Sequence, residues 1–327
     1  MSIIRKAAGP SRREILTMAA AAPALILPAQ VRAQELGAPA TGNPSHFSFT
    51  LGEAKLTVVS DGSLQIPASG LGVNADPEEV KAFLESYFLS PEINYSHTNH
   101  LVVEIGEAKV LVDVGSGDRF LPTAGELMGN LSSAGIDPAS ITHVVITHAH
   151  PDHVWGIRDD FDEAILPDAE YFIGSGEHQF WLQDGLASRM PTEMQQFAVG
   201  AVNSLQTEGV DWTLLSNDGE VVPGVRVIDT PGHTPGHVSV VVESNGQQLI
   251  ALGDSMNHAY MNFARPEWYN NFDMNGDLTV TTRQKLLDMA AADRMAVLGY
   301  HFPFPGVGHV MKDGEQYRFV PALWQWG

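Results

Sequence analysis

Three histidines and an aspartate fall within the short stretch Thr147-His148-Ala149-His150-Pro151-Asp152-His153. Before it runs Ile141-Thr142-His143-Val144-Val145-Ile146, a β-branched apolar segment that predicts a buried strand. Imidazoles and a carboxylate crowded at the end of a strand repel one another or lose solvation unless a cation holds them. Neutral His and ionised Asp are the ligand types of zinc and its neighbours. Pro151 is expected to forbid a regular helix here, which leaves the ligands on a loop whose side chains turn toward a common point. Three more residues of ligand type stand at the ends of predicted buried strands. His233 lies in the tight turn Thr230-Pro231-Gly232-His233-Thr234-Pro235-Gly236, Asp254 follows Ile250-Ala251-Leu252-Gly253, and His301 follows Val297-Leu298-Gly299-Tyr300. Alone, each reads as a cap, a turn former or a satisfied core residue. Beside a motif that demands a cation, they read as its remaining ligands.

The composition narrows the chemistry further. A chain of 327 residues with 44% hydrophobic content can bury a substantial core. A formal charge of −21 disfavours a nucleic-acid partner, because phosphate binding needs a basic surface. There is no cysteine, so disulfides and thiolate ligands are excluded and any metal must be held by His, Asp and Glu. No Gly-x-Ser-x-Gly elbow is present to suggest a serine hydrolase.

The N-terminus reads as an address. Arg12-Arg13 precedes a mild apolar stretch from Met18 to Pro28, and Val31-Arg32-Ala33 offers small residues for a signal peptidase. This resembles a twin-arginine export signal over residues 1–33, which predicts a periplasmic or secreted protein. The apolar run is too short for a membrane span and contains Pro23, so no stable membrane insertion is expected. Residues 34–53 then read as a linker and 54–327 as the catalytic domain.

The elements that must position the ligands follow from periodicity and punctuation. A first strand is expected over 54–59, turned by Asp61-Gly62, followed by a helix capped by Asp76 with Pro77 at its first position. Strands are expected over 100–105 and 109–114, then a helix over 122–134 closed by Gly135. The second half predicts strands over 225–228, 237–243 and 248–252, the last two joined by Asn245-Gly246, a helix over 279–293 and a strand over 295–299. The simplest architecture is an αββα sandwich: two mixed β-sheets face to face, helices outside, and the site at one rim.

The order His-x-His-x-Asp-His, Thr-Pro-Gly-His, Gly-Asp and a late His resembles the metallo-β-lactamase superfamily from about Lys55 to His301. That resemblance implies the metallo-β-lactamase fold and two divalent cations. Carried over by position, His148, His150 and His233 would hold one ion, Asp152, His153 and His301 the other, and Asp254 would bridge them. Zinc is the implied metal, with Mn2+, Fe2+ or Co2+ accepted by the same donors. True β-lactamases usually place a Cys at the second site, and the oxygen reductases carry a Glu at the position of His150. Neither pattern is present here. Gly125-Glu126-Leu127, the doubled Thr-Pro-Gly-His and His301-Phe302-Pro303-Phe304-Pro305-Gly306 are most similar to the methyl parathion hydrolase group and its quorum-quenching lactonase relatives. Several homoserine-lactone-cleaving relatives place a Tyr three positions after the bridging Asp. Here that position is Asn257, with Tyr260 displaced.

The resemblance therefore implies a hydrolase in which a metal-bridging hydroxide cleaves an ester-type bond of a lactone, aryl ester or phosphotriester, with Asp152 and Asp254 as catalytic carboxylates. A homodimer is implied by the same likeness. Two alternatives are a nuclease of the superfamily and a non-catalytic metal-binding scaffold or sensor. His237 and Asp113 are expected behind the ligands and His258 at the pocket mouth; His258 and His309 read first as structural, with a substrate or proton-transfer role for His258 and a ligand-orienting role for His309 as the alternatives. Aromatic and Met side chains (Phe180, Trp181, Met190, Met194 and Phe197; then Tyr260, Phe263, Trp268, Tyr269 and Phe272; also Phe120) suit a small, uncharged, hydrophobic ester or lactone. Packed core is the competing explanation for each of them.

Overall fold

A computed structural model describes residues 43–323. The expected export signal at 1–33 lies outside the described residues. Strands β1 (His46–Leu51) and β2 (Ala54–Pro67) lead to helix α1 (Pro77–Ser86), then β3 (Ile93–Ile105), β4 (Ala108–Val112), α2 (Leu127–Ser133), β5 (His143–Ile146) and α3 (Pro151–Val154). Next come β6 (Glu170–Gly174), α4 (Ser175–Trp181), α5 (Leu186–Arg189), α6 (Thr192–Leu205), β7 (Trp212–Leu215), β8 (Glu220–Val222) and β9 (Val225–Asp229). The chain continues through β10 (Val238–Ser244), β11 (Gln247–Ala251), α7 (Met261–Ala264), α8 (Gly276–Ala292), β12 (Ala296–Leu298), β13 (Val307–Asp313) and β14 (Gln316–Pro321).

The strands form two seven-stranded sheets, ordered β1-β2-β3-β4-β5-β6-β7 and β14-β13-β12-β11-β10-β9-β8. Both are mixed. In the first, β4 to β7 run parallel after an antiparallel meander, and in the second only β11 and β12 pair in parallel. Alternation along the strands separates the layers. Leu101 and Val103 of β3 face Val240 and Val242 of β10 within one inter-sheet core. Val102, Leu111 and Ile146 point the other way and pack on Leu131, Trp181, Ala198 and Ala201 of the outer helices. Val241, Ile250 and Val297 do the same with Leu286, Leu287 and Ala290 of α8. The expected αββα sandwich is the observed fold.

Several boundaries moved for tertiary reasons. Strand β1 lies inside the segment read as a linker, because β2 gives it a complete antiparallel partner. The turn expected at Asp61-Gly62 is instead a bulge in β2, whose continuation pairs with the long β3. Helix α2 starts at Leu127 rather than at 122. Thr123 O is taken by Ser63 N (2.9 Å), and the buried Asp61 carboxylate accepts from Leu127 N (2.7 Å) at the helix start. Helix α8 gains a turn because the Asn275 side chain caps Leu278 N. The Asn245-Gly246 hairpin is as expected, both residues having positive φ (55° and 74°). Pro151 does not exclude helix but begins one: as the first residue of α3 it forfeits no intrahelical hydrogen bond. The motif thus splits, with His148 and His150 on the loop and Asp152 and His153 on the first helical turn.

Candidate metal centre

The strands β4, β5, β9, β11 and β12 end at one rim, where the loops after them carry Asp113, the His148–His153 motif, His233, Asp254 and His301. The structure brings the seven expected side chains together. His148, His150 and His233 form one group, His148, His153 and Asp254 a second, and Asp152, His153 and His301 a third. Within each group the ligand-type atoms lie within 4.8 Å of one another. His150 Nδ1 is 3.1 Å from His148 Nε2 and 2.9 Å from His233 Nε2. Asp254 touches both sides of the cluster: its oxygens lie 3.3 Å from His153 Nε2, 3.2 Å from His233 Nε2 and 3.2 Å from His301 Nε2. Asp152 Oδ2 is 3.4 Å from His301 Nε2.

A test of fit comes from the atoms left unpaired. Asp152 Oδ2, His153 Nε2 and Asp254 Oδ1 are buried in this cluster with no hydrogen-bond partner. Buried polar atoms are rarely left so, and lone pairs converging on a shared point are what a divalent cation satisfies. The outward nitrogens add to this, because four of the five imidazoles are turned by a hydrogen bond on their other side, while His150 Nε2 is buried without one among the described residues. His148 Nδ1 meets Thr147 Oγ1 (3.1 Å), His153 Nδ1 meets Asp113 Oδ2 (2.8 Å), His233 Nδ1 meets Asp273 Oδ1 (2.8 Å) and His301 Nδ1 meets His97 O (2.8 Å). These residues fit two cations.

Electrostatics agrees with the geometry. Burial, then the neighbouring imidazoles, holds His148 and His150 well below the usual histidine range, so both keep a free lone pair. Burial also works against a charged His153, but Asp152, Asp254 and Asp113 outweigh it and raise its pKa well above the ordinary value. His301 shifts the same way, burial being outweighed by Asp254. Burial opposes the charged form of Asp254, yet His301, His153 and His233 hold its pKa well below the carboxylate range.

The supporting side chains divide into those the sequence indicated and those it did not. Asp113, as expected, stands behind the cluster: besides His153 it accepts from Thr147 N (2.7 Å) and Thr147 Oγ1 (2.8 Å). His237 also stands behind it, donating toward Thr230 Oγ1 (2.8 Å) and accepting from the backbone N of Asp254 (2.9 Å). A Cβ at Gly253 would lie 2.6 Å from His237 Nε2, and Gly253 has φ +53°, so only glycine fits this approach. His309 is not near a ligand. It lies exposed on β13, with Nδ1 against Met295 O (3.2 Å). Three residues escaped the sequence reading. Asp273 orients His233 and sits near the fully buried Arg283; Tyr300 donates to Asp152 O (2.6 Å); and Glu177 is treated below. No local pattern marks them, since each meets its ligand loop across more than 20 positions.

A cavity open to solvent lies on the cluster, lined by His150, Asp152, His233, Asp254 and His301. The rest of its wall is apolar (Leu64, Ile66, Phe120, Phe197 and Phe272) with Asn94, Asn257, Asn270 and Asn271 between, and no Lys or Arg is among the described residues that line it. Of the expected pocket aromatics, Phe120, Phe197 and Phe272 line this cavity. Phe263, Trp268 and Trp181 are instead core.

His258 lines a neighbouring cavity next to His301. Its Nδ1 accepts from Tyr260 N (3.2 Å) and Met261 N (3.0 Å), which leaves the ring hydrogen on Nε2. Burial pushes its pKa down to about 4. Between about pH 6.5 and that value the unfolded chain takes up the proton first, so this contribution to stability is complete above pH 6.5 and is lost on acidification through the window. His258→Asn, which offers an acceptor to the same two N–H groups, is expected to flatten this limb of the stability curve by up to ~3 kcal/mol. Urea unfolding at stepped pH checks it, and identical pH slopes for the two proteins would refute it.

The profile of the Metallo-beta-lactamase superfamily matches residues 94–301, more than half of the chain, and the protein belongs to that superfamily. The N-acyl homoserine lactonase of Bacillus cereus is 22% identical over 213 residues, covering 64% of this chain and 73% of that protein. A solved structure of AidC, described as a dizinc quorum-quenching lactonase in complex with a product, N-hexnoyl-L-homoserine, aligns with a TM-score of 0.81 at 24% identity. It covers 86% of this chain and 98% of its own. The crystal structure of hydrolase AbOPH in the beta lactamase superfamily aligns with a TM-score of 0.79 at 27% identity, covering 86% and 99%. Among the described residues no helix is long and apolar enough to cross a membrane.

Proposed function

We propose that this chain is a di-metal hydrolase that opens an ester-type bond in a small, uncharged, apolar substrate, a lactone foremost. The observation that carries the reading is the convergence of seven buried His and Asp side chains beside a cavity walled by apolar and amide side chains, with no Lys or Arg among the described residues that line it. His148, His150 and His233 would hold one ion, Asp152, His153 and His301 the other, and Asp254 both. When bound, two divalent ions bring the pKa of water toward neutrality and polarise the oxygen on the centre under attack. The side chains supply the rest. Phe120, Phe197, Phe272 and Leu64 exclude water and hold the apolar part of the substrate. Asp152, whose Oδ2 has no hydrogen-bond partner, is placed both to bind and to take a proton. Lack of Lys and Arg in the lining suits a neutral ester and not a nucleic-acid phosphate, which weighs against the nuclease alternative.

Zinc is the metal we assign, on the donor set and on the dizinc description of a structural relative. We assign the catalytic domain to the sandwich from β1 (His46–Leu51) onward, export to residues 1–33, and a homodimer to the working form. Fractionation with N-terminal sequencing and light scattering test these last assignments. The central test measures metal content and turnover on one sample, against γ-lactones, aryl esters and phosphotriesters. Two ions per chain and lactone turnover that a chelator removes and Zn2+ restores are expected. Full activity in chelator, or a fully loaded protein inert on every substrate, would overturn the reading, the latter in favour of a scaffold.

A further inference from the structure

We propose that Glu177 is a positioning residue of the metal centre: a buried carboxylate that holds two ligand-bearing loops, one from each sheet, at a fixed separation. This rests on the di-metal reading above. Glu177 lies on α4 and is fully buried, yet has no role in the ligand set. Its Oε1 accepts from Ala149 N (2.9 Å) and Trp181 Nε1 (2.6 Å). Its Oε2 accepts from Thr234 Oγ1 (2.6 Å) and Gly236 N (3.1 Å).

The placement of the partners makes the argument. Ala149 sits between His148 and His150, on the loop after β5 of the first sheet. Thr234 and Gly236 follow His233, on the loop after β9 of the second. One side chain therefore spans the gap that His150 Nδ1 and His233 Nε2 must bridge at 2.9 Å. All four partners donate, and none is cationic. A protonated acid would aim a hydrogen at one of them, so the ionised form is the one that satisfies every bond. Burial pushes the Glu177 pKa up, and the four donors pull against that. The backbone is built for the same closeness, since a Cβ at Gly236 would lie 1.9 Å from Glu177 N. The second Thr-Pro-Gly of the doubled turn thus has a purpose the metal ligands alone do not explain: it lets the loop reach the clamp.

Glu177→Gln keeps the shape but offers an NH2 where two donors point. With the protein loaded with Zn2+, it is expected to lose about one of two ions at a chelator concentration 10- to 100-fold lower than the wild type does. The ion held by His148, His150 and His233 should go first, because its donors straddle both loops. Thr234→Val removes one tether and leaves the carboxylate, so a smaller shift in the same direction is expected. It also carries the test if the Gln variant does not fold. A merely structural role would lower the melting temperature and leave the chelator midpoints unmoved. Folded variants with wild-type midpoints, or loss of both ions only in step with unfolding, would overturn the proposal. Wild-type protein that binds no ion would overturn the di-metal reading, and this one with it.

Discussion

Asp254→Ala is expected to remove both ions and to lower turnover by at least ~10³-fold, equivalent to about 4 kcal/mol of barrier. Among the described residues this is the one carboxylate whose two oxygens reach imidazoles on both sides of the cluster, His233 on one and His153 and His301 on the other. Among the described residues Oδ1 has His153 Nε2 at 3.3 Å but no hydrogen bond of good geometry, which is the kind of buried oxygen a cation satisfies. Without Asp254, one set is left with three imidazoles and no carboxylate, and the other with Asp152 alone to offset the charge of its ion. Asp254→Asn isolates the charge, because it keeps the size and the backbone bond to His237. It should fold and still lose metal. Metal stoichiometry and kcat/KM check both variants, and either one retaining two ions at wild-type chelator resistance would end the bridging role.

His150→Ala should lose one ion and at least ~100-fold of activity. His150 faces His148 and His233 through Nδ1, and its removal takes one of three donors from that set. Burial and the neighbouring His233 keep this imidazole neutral, so no ion pair is lost with it. The metal-free melting temperature should therefore move little, while the extra stability conferred by added Zn2+ shrinks, since only the folded chain binds the ion tightly. Thermal unfolding with and without Zn2+ separates the two effects. Unchanged metal-dependent stabilisation would show that His150 is not in the ligand set.

Behind these effects lies a division between local and distant information. His148, His150, Asp152 and His153 could be read from one stretch because strand, turn and ligands are contiguous. His233, Asp254 and His301 could be read because each follows a buried apolar run, where a polar side chain needs a reason to be present. The layer order was legible in part: each half delivers strands and then a helix with polar residues at the strand ends, and the stripe on α8 marks the face that is covered. Boundaries were less so. Pro151 was read as a helix breaker, although proline is compatible with a first helical turn, and which role it takes depends on what the preceding loop does.

The amino-acid sequence by itself determined the chemistry on offer, since residue types, strand ends and the absence of cysteine leave a His and Asp metal centre as the consistent outcome. It also determined the sandwich, because hydrophobic period is a property of neighbours in the chain. Only the tertiary structure decided which carboxylates stand behind which imidazoles, that β2 runs on through Asp61-Gly62, that His309 lies exposed, and that Glu177 ties the two halves together. Those outcomes depend on contacts between residues far apart in sequence, where no local preference acts and packing alone chooses the partner.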